Sequence, residues 1–160
     1  MNYVPIQVFP VIDYSVRALC INSYHLHPKG CPNFTKCDRC PPKAKLYDQV
    51  YDLSQPVYAV INEFNYGEHV AKMLATPKKN GKVRSLDEAK CVLYWQNSAR
   101  KQLDIKIKSI GNLYKYVIEK TPEAMGVNIT ATLENIGIKL EWPPVNVARQ
   151  IALLAIPKGV

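Results

Sequence analysis

The segment CINSYHLHPKGCPNFTKCDRCPP, residues 20–42, is the part of this sequence that constrains the structure most. It contains four of the five cysteines in the chain, at Cys20, Cys31, Cys37 and Cys40, with the spacing C-x10-C-x5-C-x2-C. Buried cysteines often pack as small hydrophobic residues, but this segment has no helical or strand-like hydrophobic pattern for them to join. Its prolines and glycine favour turns, which suit a backbone that wraps an ion. The spacing therefore predicts a cysteine-ligated metal centre.

The spacing leaves two kinds of metal centre open. A zinc ion takes four nitrogen or sulfur ligands in a tetrahedron, and the four cysteines, or three of them with a histidine, supply that set. Zinc ribbons usually pair two short C-x2–4-C motifs, whereas only Cys37 and Cys40 have that spacing here. An iron–sulfur cluster accepts wider spacings, and proline follows ligand cysteines in ferredoxin-type motifs, as it does after Cys31 and Cys40. We therefore favour a [4Fe–4S] cluster and keep zinc as the alternative.

Four residues have roles that the spacing alone does not decide. His25 and His27 lie between the first two cysteines, and we expect neighbours of the centre or surface groups rather than direct ligands. Cys91 lies far from the segment, and we expect a buried core thiol there rather than a ligand. Cys37 is a candidate for an exchangeable ligand, in which case the other three cysteines would hold a centre with one open iron.

The composition is that of a globular protein with an excess of positive charge. The chain has 160 residues, of which 48% are hydrophobic and 21% charged, as expected for a single domain over residues 1–160. No stretch approaches the ~18 apolar residues of a membrane helix, and the first residues lack the features of a signal peptide. We therefore expect no membrane association and a cytoplasmic location, where clustered cysteines are metal ligands or redox thiols rather than disulfides.

The formal net charge of +8 fits contact with an acidic partner such as nucleic acid, and it fits a basic proteome or simple solubility equally well. The candidate nucleic-acid contacts form two groups, one beside the cysteines and one in the turn-forming loop over residues 76–84: Lys29, Lys36, Arg39, Lys43 and Lys45, then Lys78, Lys79, Lys82 and Arg84. Contacts to phosphates by such residues would make binding fall steeply with salt.

Hydrophobic patterns predict a sheet of two to four strands. Val57–Phe64 is rich in β-branched and aromatic residues, which predicts a central strand. Gln150–Ile156 is almost continuously apolar, which predicts a buried strand, and the alternation over Ile138–Trp142 predicts another. Together with the helices between them, these strands predict an α+β or α/β fold that carries the cysteine loop, residues 20–42, at one edge.

The strongest helix signal begins at a capping box formed by Ser85 and Glu88. Apolar residues then recur at intervals of three, four or seven, which predicts one long amphipathic helix over residues 85–118, with Gly111 as a possible bend. We expect its apolar stripe to pack in the core rather than to form a dimer seam. Shorter helices are predicted in three places: over residues 43–53 and after the possible cap residues Asn65 and Asn128.

Two stretches of this sequence resemble one known family. The order Cys20, Cys31-Pro-Asn-Phe, Cys40-Pro-Pro is similar to the Cys-Pro-Asn-Tyr and Cys-Pro-Pro signature of an uncharacterised family of small, cysteine-rich, predicted metal-binding proteins of bacteria and archaea. Pro122–Leu133 is similar to that family's Met-Glu-Ala-Leu-Gly-Ile-Asp-Val stretch. The family often carries a second group, C-x2-C-x2-C, where this chain has Cys91 followed by Tyr94 and Asn97. The resemblance therefore implies metal binding, with one centre rather than two.

Three hypotheses for function follow. The favoured one is a protein with one [4Fe–4S] cluster that acts in electron transfer or as an accessory to a redox or modifying enzyme. The second is a zinc-stabilised, basic nucleic-acid-binding module, and the third is an interaction protein that docks through the long helix and holds a structural metal. The sequence contains no nucleophile elbow, phosphate-binding glycine-rich loop, dinucleotide fingerprint or HExxH motif, so it assigns no reaction and no catalytic residue.

Overall fold

The computed structural model describes residues 3–23, 27–32, 34–111 and 113–159. Its strands are β1 (Ile6–Val8), β2 (Val57–Asn65), β3 (Val117–Glu119) and β4 (Val147–Ala155). They form one antiparallel sheet in the order β1-β2-β4-β3. Because the sheet is antiparallel and helices pack against it, the fold is α+β, one of the two classes that the sequence predicts.

The two long strands β2 and β4 form the centre of the sheet. They pair in register from Tyr58 opposite Leu154 to Asn65 opposite Val147. Both predicted strands are therefore confirmed, although β4 begins three residues earlier than its apolar run suggests. The paired stretches Val57–Ile61 and Ile151–Ala155 consist of apolar residues and tyrosine, which fits a position in which both faces of the sheet are covered.

Five α-helices and two 3-10 helices are present among the described residues. The α-helices are α1 (Tyr47–Val50), α2 (Tyr66–Ala75), α3 (Leu86–Lys90), α4 (Val92–Lys108) and α5 (Ile129–Glu134), and the 3-10 helices are Tyr14–Ile21 and Pro122–Met125. The predicted caps Asn65 and Asn128 accept hydrogen bonds from the N–H groups of the first turns of α2 and α5, and the capping box at Ser85 is formed. None of the described helices is both long and apolar enough to cross a membrane.

The prediction of one helix over residues 85–118 is wrong in its second part. The helical region begins at Leu86, bends at Cys91 between α3 and α4, and ends at Lys108. The Ser109 hydroxyl donates to the carbonyl oxygen of Lys106 at 2.8 Å, and the chain then leaves the helix axis. Residues 117–119 pair with β4 instead, because the backbone hydrogen bonds of the sheet edge replace those that a helix would have made.

Two other predicted elements differ from the structure. Residues 138–142 form no strand: Ile138 and Leu140 pack partly buried against the core, while Trp142 is 70% exposed. The helix predicted over residues 43–53 is reduced to α1, because the chain runs through turns until Ala44 and is extended at both ends of α1, at Leu46 and Tyr51. The spacing of apolar residues alone does not distinguish loops that pack against the core from helices and strands.

Helices cover both faces of the central strands. On one face, Leu103 and Ile107 of α4 pack against the sheet residues Val60, Ala152 and Leu154. This part of the predicted apolar stripe therefore lies in the hydrophobic core.

The opposite face is covered by α1, α5 and the second 3-10 helix, with Tyr47, Met125 and Leu133 in one cluster. Ala44 belongs to the same cluster, and it follows the last cysteine of the segment by four residues. The end of the cysteine segment is therefore anchored on this face of the sheet.

Candidate metal centre

Cys20 lies in the last turn of the first 3-10 helix, which Asp13 caps by accepting a hydrogen bond from the Ser15 N–H. A 3-10 helix has three residues per turn, so Arg17 and Cys20 share one face. The Arg17 Nη2 atom donates to the carbonyl oxygens of Pro42 and Ala44, at 3.1 and 2.9 Å. Arg17 therefore connects the 3-10 helix that carries Cys20 to the residues that follow Cys40.

Gly30 allows the chain at Cys31 to run directly against Cys20. The Cys31 N–H donates to the Cys20 carbonyl oxygen at 2.8 Å. Gly30 has a φ of +77°, and a Cβ there would lie 2.6 Å from that same carbonyl oxygen and 2.8 Å from the carbonyl carbon of Ile21. Both atoms belong to the main chain, so only glycine fits without separating the two segments. The first two cysteines become a pair in this way, although ten residues separate them.

Cys37 and Cys40 form the second pair. The Cys40 N–H donates to the Cys37 carbonyl oxygen at 3.0 Å. The turn is closed by the Thr35 N–H, which donates to the Pro41 carbonyl oxygen at 3.0 Å, and by the Ala44 N–H, which donates to that of Cys40 at 2.9 Å. The C-x2-C spacing thus gives the compact turn that ligand pairs commonly use.

The two cysteine pairs interact electrostatically. Burial raises the pKa of the Cys40 thiol, and so do the charge and hydrogen bond of Cys37 and the charges of Cys31 and Cys20. Burial also raises the pKa of the Cys20 thiol, together with the charges of Cys31 and Glu123, while the Arg17 guanidinium opposes them. The charges that raise these two pKa values therefore come from both cysteine pairs.

The thiols do not converge on a single ion position. Among the residues that the structure describes, no group of three or more histidine, cysteine, aspartate or glutamate side chains is arranged to hold a metal ion. Electrostatic effects act over longer distances than metal–ligand bonds, so this finding is compatible with the mutual pKa shifts. All five cysteines are free thiols; Cys37 is exposed, while Cys20, Cys31 and Cys40 are partly buried.

The remaining candidate ligands have different positions. Cys91 is only 7% exposed at the bend between α3 and α4, as expected for a core thiol. His27 lines an open groove of about 470 Å³ next to Cys31, on the outer side of the segment. His25 lies outside the described residues. That none of the three is a direct ligand stays a prediction.

The two groups of candidate nucleic-acid contacts differ in how many of their side chains contact other residues of the protein. The five cations beside the cysteines are all exposed, and among them Lys43 lies 3.7 Å from the Asp38 carboxylate. In the second group, Lys78 forms an ion pair with Glu88, and the Arg84 guanidinium donates to the carbonyl oxygen of Thr76. Lys79 and Lys82 are exposed. The first group is therefore the larger cationic surface.

Three residues of this region were not predicted from the sequence: Arg17, Gly30 and Glu123. Arg17 is detectable only if residues 14–21 are recognised as a 3-10 helix, in which positions three apart share a face. Glu123 reaches the neighbourhood of Cys20 from the second 3-10 helix, about a hundred residues away. The surrounding protein raises the pKa of its carboxyl group, mainly by desolvation, although part of the residue is open to solvent.

No protein-family model, curated protein or solved structure matches this chain. The resemblance to the cysteine-rich family therefore rests on the residues quoted above.

Proposed function

We propose that this protein holds one [4Fe–4S] cluster on Cys20, Cys31, Cys37 and Cys40, and that the cluster serves electron transfer or assists a redox or modifying enzyme. The observation that carries the proposal is that four free cysteines lie on segments joined by two main-chain hydrogen bonds, from the Cys31 N–H to the Cys20 carbonyl oxygen and from the Cys40 N–H to the Cys37 carbonyl oxygen. A cationic cluster would favour the thiolate forms of these cysteines.

The spacing of the thiols favours a cluster over zinc. A single zinc ion binds each sulfur at about 2.3 Å in a tetrahedron, which places the sulfurs about 3.8 Å from one another. A cubane cluster distributes its four thiolates over four irons and needs a wider opening. The wide x10 and x5 intervals between the cysteines in the sequence suit the cluster, whereas only Cys37 and Cys40 have the short spacing that is typical of zinc sites.

The position of the centre suits exchange of electrons with another molecule. Cys37 is exposed, and the other three cysteines are only partly buried, so the cluster would lie near the surface. Five exposed cations lie within residues 29–45 of the sequence, and positive charge near a cluster raises its reduction potential.

The experiment is a redox titration of the protein purified without oxygen. We expect a brown protein whose absorbance near about 400 nm is bleached by dithionite, with a paramagnetic signal in the reduced state. Cys40→Ser should lose the colour, while Cys91→Ser, which alters a core thiol at the bend of the helix, should retain it. A colourless wild-type protein, or a Cys91→Ser variant that alone loses the colour, would contradict the proposal.

A second candidate function is a zinc-stabilised module that binds nucleic acid. The exposure of all five cations beside the cysteines favours it. It predicts a colourless zinc protein whose retention on immobilised DNA or RNA falls steeply as salt rises. Retention that does not depend on salt would exclude phosphate contacts as its basis.

A further inference from the structure

Cys37 and Cys40 lie at the two ends of one tight turn. The Cys40 N–H donates to the Cys37 carbonyl oxygen at 3.0 Å, so residues 37–40 form a hydrogen-bonded β-turn. The α-carbons at the ends of such a turn lie less than about 7 Å apart. A disulfide bond needs α-carbons about 4.4–6.8 Å apart, so the backbone already holds these two cysteines within the range in which a disulfide forms.

Hydrogen bonds on both sides fix this turn in the protein. The Thr35 N–H donates to the Pro41 carbonyl oxygen at 3.0 Å, and the Ala44 N–H donates to that of Cys40 at 2.9 Å. Ala44 belongs to the hydrophobic core, so the end of the turn is attached to the sheet. Groups that are held next to each other in this way react faster than groups that must first meet.

The two thiols differ in their access to solvent. The structure describes all five cysteines, and of these only Cys37 is exposed, whereas Cys40 is partly buried. A thiol that reacts with a disulfide in solution must be accessible to it. Cys37 is therefore suited to the first attack, and Cys40 to a second step that takes place within the turn.

The charge of the turn favours an anionic reactant. Lys36 and Arg39 are both exposed, and each is next to one of the two cysteines in the sequence. The one acidic residue of the turn is Asp38, and its carboxylate lies 3.7 Å from the Lys43 ammonium group. Positive charge raises the local concentration of anions, and reactive cysteines commonly lie in such surroundings.

We propose that Cys37 and Cys40 form a thiol–disulfide exchange site whose substrate is an anionic low-molecular-weight disulfide. Glutathione disulfide has this chemistry. The Cys37 thiolate attacks one of its sulfurs, so that a protein–glutathione disulfide forms and the first glutathione thiolate leaves. The Cys40 thiolate then attacks the Cys37 sulfur and displaces the second glutathione thiolate. The two thiol protons of the protein end on the two glutathione molecules, so the protein is oxidised and glutathione disulfide is reduced.

This inference concerns the protein without metal and does not rest on the cluster proposed above. It has a consequence for that cluster, because a metal ligand must be a thiolate and a sulfur in a disulfide is not one. Protein oxidised at Cys37 and Cys40 would lack two of the four proposed ligands. Oxidation and metal binding at these residues therefore exclude each other.

The test uses the full chain, reduced, freed of metal with a chelator, and mixed without oxygen with glutathione disulfide as the probe. The reaction is stopped with acid, and the remaining thiols are alkylated before digestion with trypsin. Trypsin cuts after Lys36, Arg39 and Lys43, so a bond between Cys37 and Cys40 joins the peptides Cys-Asp-Arg and Cys-Pro-Pro-Lys. We expect this linked pair to be the main disulfide product, with the other three cysteines alkylated.

Single-cysteine variants test the order of the two steps through the mass of the intact protein. Cys40→Ser should stop after the first step and accumulate one glutathione on Cys37, because the second thiol is missing. Cys37→Ser should react at least about tenfold more slowly, because the exposed thiol is missing. Cys20→Ser and Cys91→Ser are matched controls, and their rates should stay within about twofold of the wild type.

A charge-reversal variant tests the preference for an anionic disulfide. Lys36→Glu/Arg39→Glu should react with glutathione disulfide at least about threefold more slowly than the wild type at low salt. Lys79→Glu/Lys82→Glu changes the net charge equally at exposed positions in another loop and should react at the wild-type rate. An equal effect of the two variants would overturn the preference for an anionic reactant.

The outcomes also separate this inference from the cluster. No bond between Cys37 and Cys40, a main product that joins other cysteines, or a Cys37→Ser variant that reacts as fast as the wild type would each overturn the exchange site. Because the assay contains no metal, these results would leave the cluster untouched. The linked peptides in a protein that never holds iron would support the exchange site and contradict the cluster.

Discussion

Replacement of Gly30 by alanine tests whether the contact between the two halves of the cysteine segment assembles the centre. Gly30 has a left-handed backbone, which costs an alanine about 1–2 kcal/mol. The added Cβ also lies 2.6 Å from the Cys20 carbonyl oxygen, which accepts the hydrogen bond from the Cys31 N–H. Separation of the segments would remove that hydrogen bond, which is worth about 0.5–1.5 kcal/mol. The total cost for Gly30→Ala is therefore about 2–3 kcal/mol.

Gly81 provides a matched control. Its φ is +76°, nearly the same as that of Gly30, but no atom lies within 4 Å of the position that a Cβ would occupy. Gly81→Ala therefore carries only the backbone cost of about 1–2 kcal/mol. For a chain of this length, about 1 kcal/mol corresponds to a change of about 2–4 °C in Tm.

The two variants are compared by thermal unfolding and by metal content after anaerobic purification. We expect Gly30→Ala to unfold about 2–4 °C below Gly81→Ala and to lose most of its metal, while Gly81→Ala keeps the wild-type content. Equal metal content and equal Tm in the two variants would refute the reasoning, because it would show that Cys20 and Cys31 reach their positions without this contact.

Three further predictions concern other parts of the structure. Arg17→Lys keeps the charge but loses the planar guanidinium that donates to the carbonyl oxygens of Pro42 and Ala44. A chelator should therefore remove metal from this variant faster than from the wild type. An unchanged rate of metal removal would show that these hydrogen bonds do not hold the segment. Cys37→Ser should retain more iron per chain than Cys20→Ser, because Cys37 is the exposed member of the four cysteines and is the candidate for an exchangeable ligand. Equal loss of iron in the two variants would show that Cys37 and Cys20 are equivalent as ligands. The N–H groups of Asn146, Val145 and Val147 donate to the Glu141 carboxylate and hold its pKa below its ordinary value of 4.5. A lowered pKa gives stability that is complete above pH 4.5 and is lost as the pH falls through the pKa of the folded protein. The Tm difference between wild type and Glu141→Gln should therefore be largest near neutral pH and shrink in acid. A Tm difference that does not change with pH would contradict this.

Local signals in the sequence predicted much of the scaffold. The central strand β2 follows from its β-branched residues, and the starts of α2, α3 and α5 follow from side chains that accept hydrogen bonds within their own first turn. These signals depend on residues three or four positions apart, so a sequence contains them completely.

The errors occurred where distant parts of the chain decide the structure. Residues 117–119 continue the helical spacing of α4, but pairing with β4 makes them a strand. Ile138 and Leu140 alternate as a strand does, yet they pack against the core without a partner strand. Hydrophobic spacing records burial, and burial alone does not distinguish these alternatives.

The candidate centre was only partly visible in the sequence. The four cysteines and their turn-rich surroundings could be identified, and the structure has turns around Cys37 and Cys40. The contact of Gly30 with Cys20, the two hydrogen bonds of Arg17 and the approach of Glu123 arise from the folded chain. They join segments that no spacing rule connects.

The measurement that tests the central claim most directly is the content of iron, acid-labile sulfide and zinc per chain in protein purified without oxygen, read together with its absorption spectrum. We expect about four irons and four sulfides per chain, little zinc, and a brown protein. One zinc per chain without iron, or no stoichiometric metal at all, would contradict a [4Fe–4S] cluster on the four cysteines.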